Sequence, residues 1–532
     1  MQCARVGLYL VLATAGVAVG ALTMEQALDT NGNRLIDDLE MLQALNLWTR
    51  QAPVPGTDGS LIDDLKIVQL LQLWIKQTPI GEPPPPPPAA TACPDAAPTA
   101  RVLTVPAQFP TIQQAIQNAR DGDKILVLPG SYPGGILVDK GVIIESQGGP
   151  AVTTIRGTPE QSTLRVLKAV GAVVRGFTIS NGRAGVSLGD VTRFCMEQNE
   201  IIRNLGPGIE IAGKTVEQGR EAQDVTIVNN KIKNNVGFGI VGSELLRAKI
   251  LNNEITDTAS RPDGTAGRGI SLTGVSRVEV RQNKIFDSYG HGVFTSGVTD
   301  LEITGNEIRN APLASEGAIP AAGIAIGSGT IGALVVGNAV RENDLGIFVD
   351  RTRSITLRDN TITGSKVAGV SISNSLLVRV EGDTITDTQP REPVGERLAI
   401  GIEVRGTSTV TLVGVTIRRS FGYGLFVVDK AEVEVSGSTI EETRGNPGVA
   451  GHGVGVGSAS LFLTESLIAR NKDSGIAVLR DGRAELSDNT IRENGDFGIF
   501  ADPQGAVSCP ATNILLGNGR ARSENVPAAC GG

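Results

Sequence analysis

VTIVNNKIKNNVGFGIVGS (residues 225–243) and VEVRQNKIFDSYGHGVFTS (278–296) repeat one phrase, and that phrase decides the fold. It reads x-V-x-I-x-x-N-x-I, with Gly-Ile or Gly-Val about nine residues after the asparagine. Its anchor recurs at Phe177, Asn199, Asn230, Asn253, Asn283, Asn306, Asn338, Asn360, Asp383, Val415, Ser438, Ser466, Asn489 and Thr512. Most steps are 22 or 23 residues and the others are 28 to 32. Three short strands per turn of that length make a parallel β-helix, in which each coil buries its apolar face only against its neighbours. Leucine-rich repeats require regularly spaced leucines, which are absent. Propeller blades require forty or more residues.

The composition agrees. Among 532 residues there are 67 Gly but only 12 Phe, 4 Tyr and 2 Trp, so the core is built from Val, Ile, Leu and Ala. Glycine is expected at corners, β-branched residues inside, and the asparagines as a structural amide ladder. So few rings exclude a carbohydrate module lined with stacking platforms and a base-stacking surface. A net charge of −8 argues against nucleic acid as partner. Two histidines and four methionines leave little for copper or zinc.

Residues 109–132, FPTIQQAIQNARDGDKILVLPGSY, place Ile112, Ala115, Ile116 and Ala119 on one helical face, suited to plugging the end of a stack. This stretch followed by N-x-I…G-I coils resembles the right-handed β-helix proteins of the pectate-lyase-like superfamily. The resemblance covers residues 101–530 and implies an all-β, right-handed parallel β-helix. It does not choose an activity, since the superfamily includes lyases, hydrolases, epimerases, adhesins and noncatalytic proteins.

Upstream, the chain divides into three parts. Residues 1–21 read as a secretory signal peptide: Arg5 precedes an uncharged run from Val6 to Met24 that turns Gly/Ala-rich toward Ala21. Residues 22–80 carry a duplication, LIDDLEMLQALNLWTRQ (35–51) over LIDDLKIVQLLQLWIKQ (61–77), each half ending in an amphipathic helix. Before the first helix, Asp29, Asn31, Asn33, the Leu35 carbonyl, Asp37 and Glu40 fall at positions 1, 3, 5, 7, 9 and 12 of a calcium loop. Arg34 replaces the usual glycine, and the second copy has Lys66 at position 12, so only the first loop is expected to bind Ca²⁺. The tandem resembles dockerin modules, which implies a cohesin-like partner. Residues 81–100 form a proline-rich linker, with six prolines at 83–88 as a semi-rigid polyproline spacer.

Departures from the period mark candidate function, because loops on a rigid scaffold carry it. In four coils the anchor-to-glycine distance lengthens: Asn253 to Gly269, Asn306 to Gly323, Asp383 to Gly401 and Ser438 to Gly453. Those loops leave at one corner and line one face, whereas KTVEQGREAQ (214–223) leaves elsewhere. Between the loop pairs, Arg341, Glu342, Asp344 and Lys366 are the candidate catalytic residues. A β-elimination lyase needs a Lys or Arg base and a cation by the uronate carboxylate, and a hydrolase needs two carboxyls. Both sets are present, so the choice stays open. Arg391 and Arg397 on the walls, with Tyr289, His291 and Tyr423, are candidate substrate-binding residues. Tyr289/His291 and Phe421/Tyr423 are read as the only aromatic pairs placed to meet a ligand on this loop-bearing face. GHGVGVGS (451–458) is similar to a polygalacturonase stretch, but that family's other motifs are missing.

An exported chain permits disulfides, and Cys509 and Cys530 are expected to pair, while Cys93 and Cys195 have no assignment. The expected protein is a secreted or cell-surface monomer that binds an extracellular acidic polysaccharide, with degradation or modification of it as a further activity. The alternative is a noncatalytic adhesive solenoid displayed through its N-terminal module.

Overall fold

The computed structural model describes residues 28, 38–50, 52–54, 62 and 70, then 93–531 apart from 213–221, 263, 265–266, 310–319, 391–397 and 446–448. It divides into two units, residues 1–89 and 90–532.

In the first unit, helix α1 (Asp38–Thr49) buries Met41 and Ala44 with Leu28, Val54, Ile62 and Leu70, and Trp48 packs at the edge. The expected signal peptide and the loop residues Asp29, Asn31, Asn33, Leu35 and Asp37 lie outside the described residues. Glu40 falls in α1, but its side chain is also outside them.

The second unit is a parallel β-helix of three sheets with 17, 16 and 16 strands among the described residues. Each coil contributes one strand to each sheet. In one coil these are Arg353–Arg358 (first sheet), Thr361–Thr363 (second) and Ala368–Ser373 (third). Equivalent residues stack in register. In the second sheet Ile232, Ile255, Ile285, Ile308, Val340, Ile362 and Ile385 form one inward column. β-Branched side chains suit such a column because their shape repeats on a pleated surface every 4.8 Å or so.

The asparagine anchors occupy the turn from first to second sheet. Each buried Oδ1 accepts both the backbone N–H and the Nδ2–H of the rung before, as Asn306 does from Asn283 (2.9 and 3.0 Å). The same Nδ2 also donates to a first-sheet carbonyl, Val280 O for Asn306 (2.9 Å). A buried amide is costly unless every donor and acceptor is matched, and the ladder matches them coil after coil. In the last coil the rung is Asn513, not Thr512, because Asn489 N–H donates to Asn513 Oδ1 (3.1 Å).

Glycine plays two parts, of which corner-turning is one. From Gly185 to Gly475 one glycine per coil begins the third-sheet strand with ordinary φ. A Cβ there would lie 2.3–2.9 Å from the Cγ of the inward Ile or Val of the following coil. That column exists for space.

Both ends are closed. Helix α2 (Ile112–Asn118) plugs the first coils with Ile112, Ala115 and Ile116, and its last carbonyls receive Lys140 Nζ (2.8–2.9 Å). At the other end Val526 and Cys530 are buried, and Cys530 is disulfide-bonded to Cys509. Cys93 and Cys195 form a second disulfide.

Candidate functional site

The four long insertions all fall between a second-sheet and a third-sheet strand, whereas the strands that flank KTVEQGREAQ in the sequence are Ile209–Ala212 of the third sheet and Ala222–Val228 of the first. The loop-bearing corner is built from two stacked positions. The first is left-handed in every described coil from Arg203 onward, with Glu342, Asp387, Arg419, Glu442 and Arg470 at φ of 53–59°. The second is a further polar ladder, five residues after the asparagine anchor. Asn204 N–H donates to Asn235 Oδ1 (3.1 Å) and Asn471 N–H to Asn494 Oδ1 (3.0 Å). Ser288, Ser365, Thr388, Ser420 and Thr443 fill the middle rungs and are buried. The sequence phrase contains this ladder as Asn, Ser or Thr at offset five, a signal diluted by the alternation of residue types.

From Asp387 to Glu493 the left-handed corner residues pair along the stack. Arg419 makes a bidentate contact with Asp387 (2.7 and 2.7 Å), then approaches Glu442 (3.8 Å). Arg470 approaches Glu442 (3.6 Å) and Glu493 (3.9 Å). Buried Glu441 is held by Arg418 and Arg470. The Arg419 guanidinium holds the Asp387 carboxyl below the ordinary range, so this ladder stays charged at neutral pH.

Over that ladder opens a cleft of about 580 Å³, lined by Thr388, Gln389, Pro390, Phe421, Arg444 and Lys472 among others. Its frame is backbone. Ala399 and Phe421 exchange N–H···O bonds (2.7 and 3.0 Å), Gly422 N–H donates to Arg444 O (2.8 Å), and Arg444 N–H to Ser420 O (2.7 Å). Phe421 thus stands fixed between the stems of two inserted loops. Arg444 and Lys472 make no ion pair among the described residues, in contrast to the neutralised Arg419 and Arg470. The cleft therefore offers these two cations beside the paired Glu442 and Arg470, with amide and hydroxyl groups and one ring.

The outer face of the third sheet, which begins one or two residues further on, carries further rings. Phe294, Ala325, Phe348, Ser371, Glu403, Phe426, Gly455, Ala477 and Phe500 form one outward row in register. Small residues between the rings let them lie down: Tyr423 and Phe426 stack at 4.4 Å, and a Cβ at Gly455 would meet both rings at 2.5–2.9 Å.

The candidate residues scatter. Arg341 is exposed on the second sheet and Glu342 is a left-handed, exposed corner residue. Asp344 is 1% exposed, and its Oδ2 accepts Ala321 N–H (3.2 Å). Lys366 is half-buried, and its backbone N–H bonds Asn343 O (3.0 Å). The four are not brought to one solvent-facing point, since Asp344 lies beneath the surface that carries Arg341 and Glu342. Tyr289 is exposed, but Tyr423 is 8% exposed among its neighbours. His291 Nδ1 accepts Ala322 N–H (3.0 Å), and burial beside Arg268 pushes its pKa down to about 4, so it is a neutral imidazole with its proton on Nε2. Arg391 and Arg397 lie outside the described residues. Among the described residues no cluster of three or more His, Cys, Asp or Glu could hold a metal ion.

The profile of the family described as "Right handed beta helix region" matches residues 162–340, 248–395 and 400–519. This chain belongs to that family. A cell surface glycoprotein of Methanothermus fervidus is similar to the β-helix protein, 28% identical over 282 residues, covering 50% of this chain and 44% of the relative. The chain thus spans less than half of that relative's length. Among solved structures, bacteriophage phi29 gene product 12 is similar at 13% identity and a TM-score of 0.47, covering 78% of this chain and 70% of that one. The catalytic unit of a GH87 α-1,3-glucanase from Streptomyces thermodiastaticus gives 14%, 0.38, and 83% against 72%. The periplasmic alginate epimerase AlgG gives 12%, 0.34, and 65% against 76%.

Proposed function

We propose that this β-helix protein is exported, stands at the cell surface and binds an extended anionic polysaccharide in the cleft between Thr388 and Lys472. One observation carries the reading: Arg444 and Lys472 line one cleft, and neither makes an ion pair among the described residues, unlike Arg419 and Arg470 beside them. Two such cations in one groove suit the carboxylates of a polyuronate, and Phe421 supplies a face for a sugar ring. The uncharged run before Ala21 and the surface glycoprotein relative support export and display. Because the candidate acid and base groups do not converge, the activity proposed is binding.

Affinity electrophoresis of the full chain through polygalacturonate, alginate and a neutral glucan tests this. Retardation is expected in the two polyuronates and is expected to weaken with salt. Arg444→Ala with Lys472→Ala should lose about 3 kcal/mol, roughly a hundredfold in Kd. Arg341→Ala should leave retardation unchanged. Equal retardation of the wild type and the double variant would misplace the site. No retardation in any gel would leave the adhesive solenoid. New reducing ends or unsaturated uronates would make the protein an enzyme.

We also propose that Asp29, Asn31, Asn33, Leu35, Asp37 and Glu40 hold one Ca²⁺ in the N-terminal unit, and that a cohesin-like protein is its partner. Calorimetry of the intact chain should show calcium binding that disappears in Asp29→Ala with Glu40→Gln. Equal heats from both chains would remove the loop from consideration.

A further inference from the structure

Residues 93–100, CPDAAPTA, are the last part of the stretch read as the proline-rich linker, yet they do not enter the stack at its end. They run across the outer face of the first sheet. Cys93 is disulfide-bonded to Cys195, 102 residues further along the chain, and its N–H donates to Glu197 Oε2 (3.1 Å). Arg175 fastens the next two residues, donating to Pro94 O (2.7 Å) and Asp95 Oδ1 (2.7 Å). The same guanidinium approaches Glu197 (3.4 Å) and Glu145 (3.8 Å), and Lys124 reaches Glu145 (3.0 Å). Glu197 is 3% exposed, so its charge is compensated only while the strap and Arg175 are in place.

The seat is made for this segment. Outward first-sheet positions are apolar beneath it, with Cys93 and Ala96 packed on Ile143, Val173, Cys195, Val228 and Leu251. In the following coils the same rows turn charged and paired, as in Lys249 with Glu279 (3.7 Å) and Arg281 with Glu302 (2.6 Å). The apolar lining ends within two coils of Cys195.

We propose that this strap is a load-bearing clamp, which passes tension from the linker straight into the coil of Cys195 and bypasses helix α2 and the coils before it. The N-terminal cap is otherwise the weak point of such a rod, because an end coil has a neighbour on one side only. Entering the stack at Cys195 leaves that cap unloaded. The inference is independent of what the cleft binds.

Stretching the full chain between its two termini in a force spectrometer tests it. The oxidised protein should show no extension from the segment between Cys93 and Cys195. Reductant added under load should lengthen the trace in two steps, about 350 Å for the 102-residue separation of Cys93 and Cys195 and about 70 Å for the 21-residue separation of Cys509 and Cys530. In Cys93→Ser with Cys195→Ser, first rupture should move to the N-terminal coils at lower force, and adding Arg175→Ala should lower that force again. Circular dichroism with unchanged strand content keeps the variants interpretable. An unchanged first-rupture force in both variants, or a first rupture in them outside the N-terminal coils, would overturn the proposal.

Discussion

Gly369→Ala is expected to destabilise its coil by about 3 kcal/mol, the upper end of what overpacking a well-filled interior costs. The new methyl carbon would lie 2.3 Å from Ile385 Cγ2 and 2.7 Å from the Gly401 carbonyl oxygen. Neither obstacle is a flexible tip: Ile385 is buried in the second-sheet column, and Gly401 is the next member of the glycine column itself. In a stack, such strain stays local because each coil contacts only its neighbours. Amide exchange in the third-sheet strands Leu345–Asp350 and Ile400–Arg405 should therefore accelerate on the order of a hundredfold, while strands near residue 136 hold their protection. Gly414→Asn is the contrasting change. Gly414 has φ +62° with nothing within 4 Å of its Cβ site, and the equivalent corner carries Asn229, Asn252 and Asp359 in the same conformation. That substitution should cost well under about 1 kcal/mol. Equal effects from the two would mean that the glycine columns do not differ in kind.

These two glycines also show what was readable in advance. The period of the Asn-x-Ile phrase reports a stack because both residues must recur once per coil, and no other fold needs that. The phrase also places the inserted loops at one corner, since anchor-to-glycine length is a local count. It does not distinguish a glycine kept for φ from one kept for space, because that depends on Ile385 of the next coil approaching Gly369. Nor does it tell which charges are spent. Arg419 and Arg444 look alike in the chain, but Arg419 makes a bidentate pair with Asp387 across an inserted loop, 32 residues away, whereas Arg444 acts on that carboxylate only at longer range. Nor does the scarcity of rings say where they gather: the alternation of strand side chains sends Phe294, Phe348, Phe426 and Phe500 outward on one sheet.

Asp383 is the one acid in the asparagine ladder, and it should make stability depend on pH. Its Oδ1 accepts Asn360 N–H (2.7 Å) and Nδ2–H (3.1 Å), while its buried Oδ2 has no partner. A neutral carboxyl can use that second oxygen as a donor, as an asparagine uses Nδ2, but a carboxylate cannot. Burial, with Asp359 adding repulsion, pushes the group up from 3.8 to about 7. A pKa raised in the folded state contributes stability that is fully present below the unfolded value. That contribution fades between pH 3.8 and about 7 as the native carboxyl ionises. A rise of some three units corresponds to about 4 kcal/mol across that window. Asp383→Asn supplies a permanent Nδ2 and removes the dependence. Wild type and variant should match near pH 4, and the variant should be more stable by up to about 4 kcal/mol at pH 8, read from urea denaturation at each pH. Subtracting the two profiles cancels every other titrating group that the substitution leaves alone. Parallel profiles would mean that Asp383 is ionised in the fold, with a donor for Oδ2 that the ladder geometry does not provide.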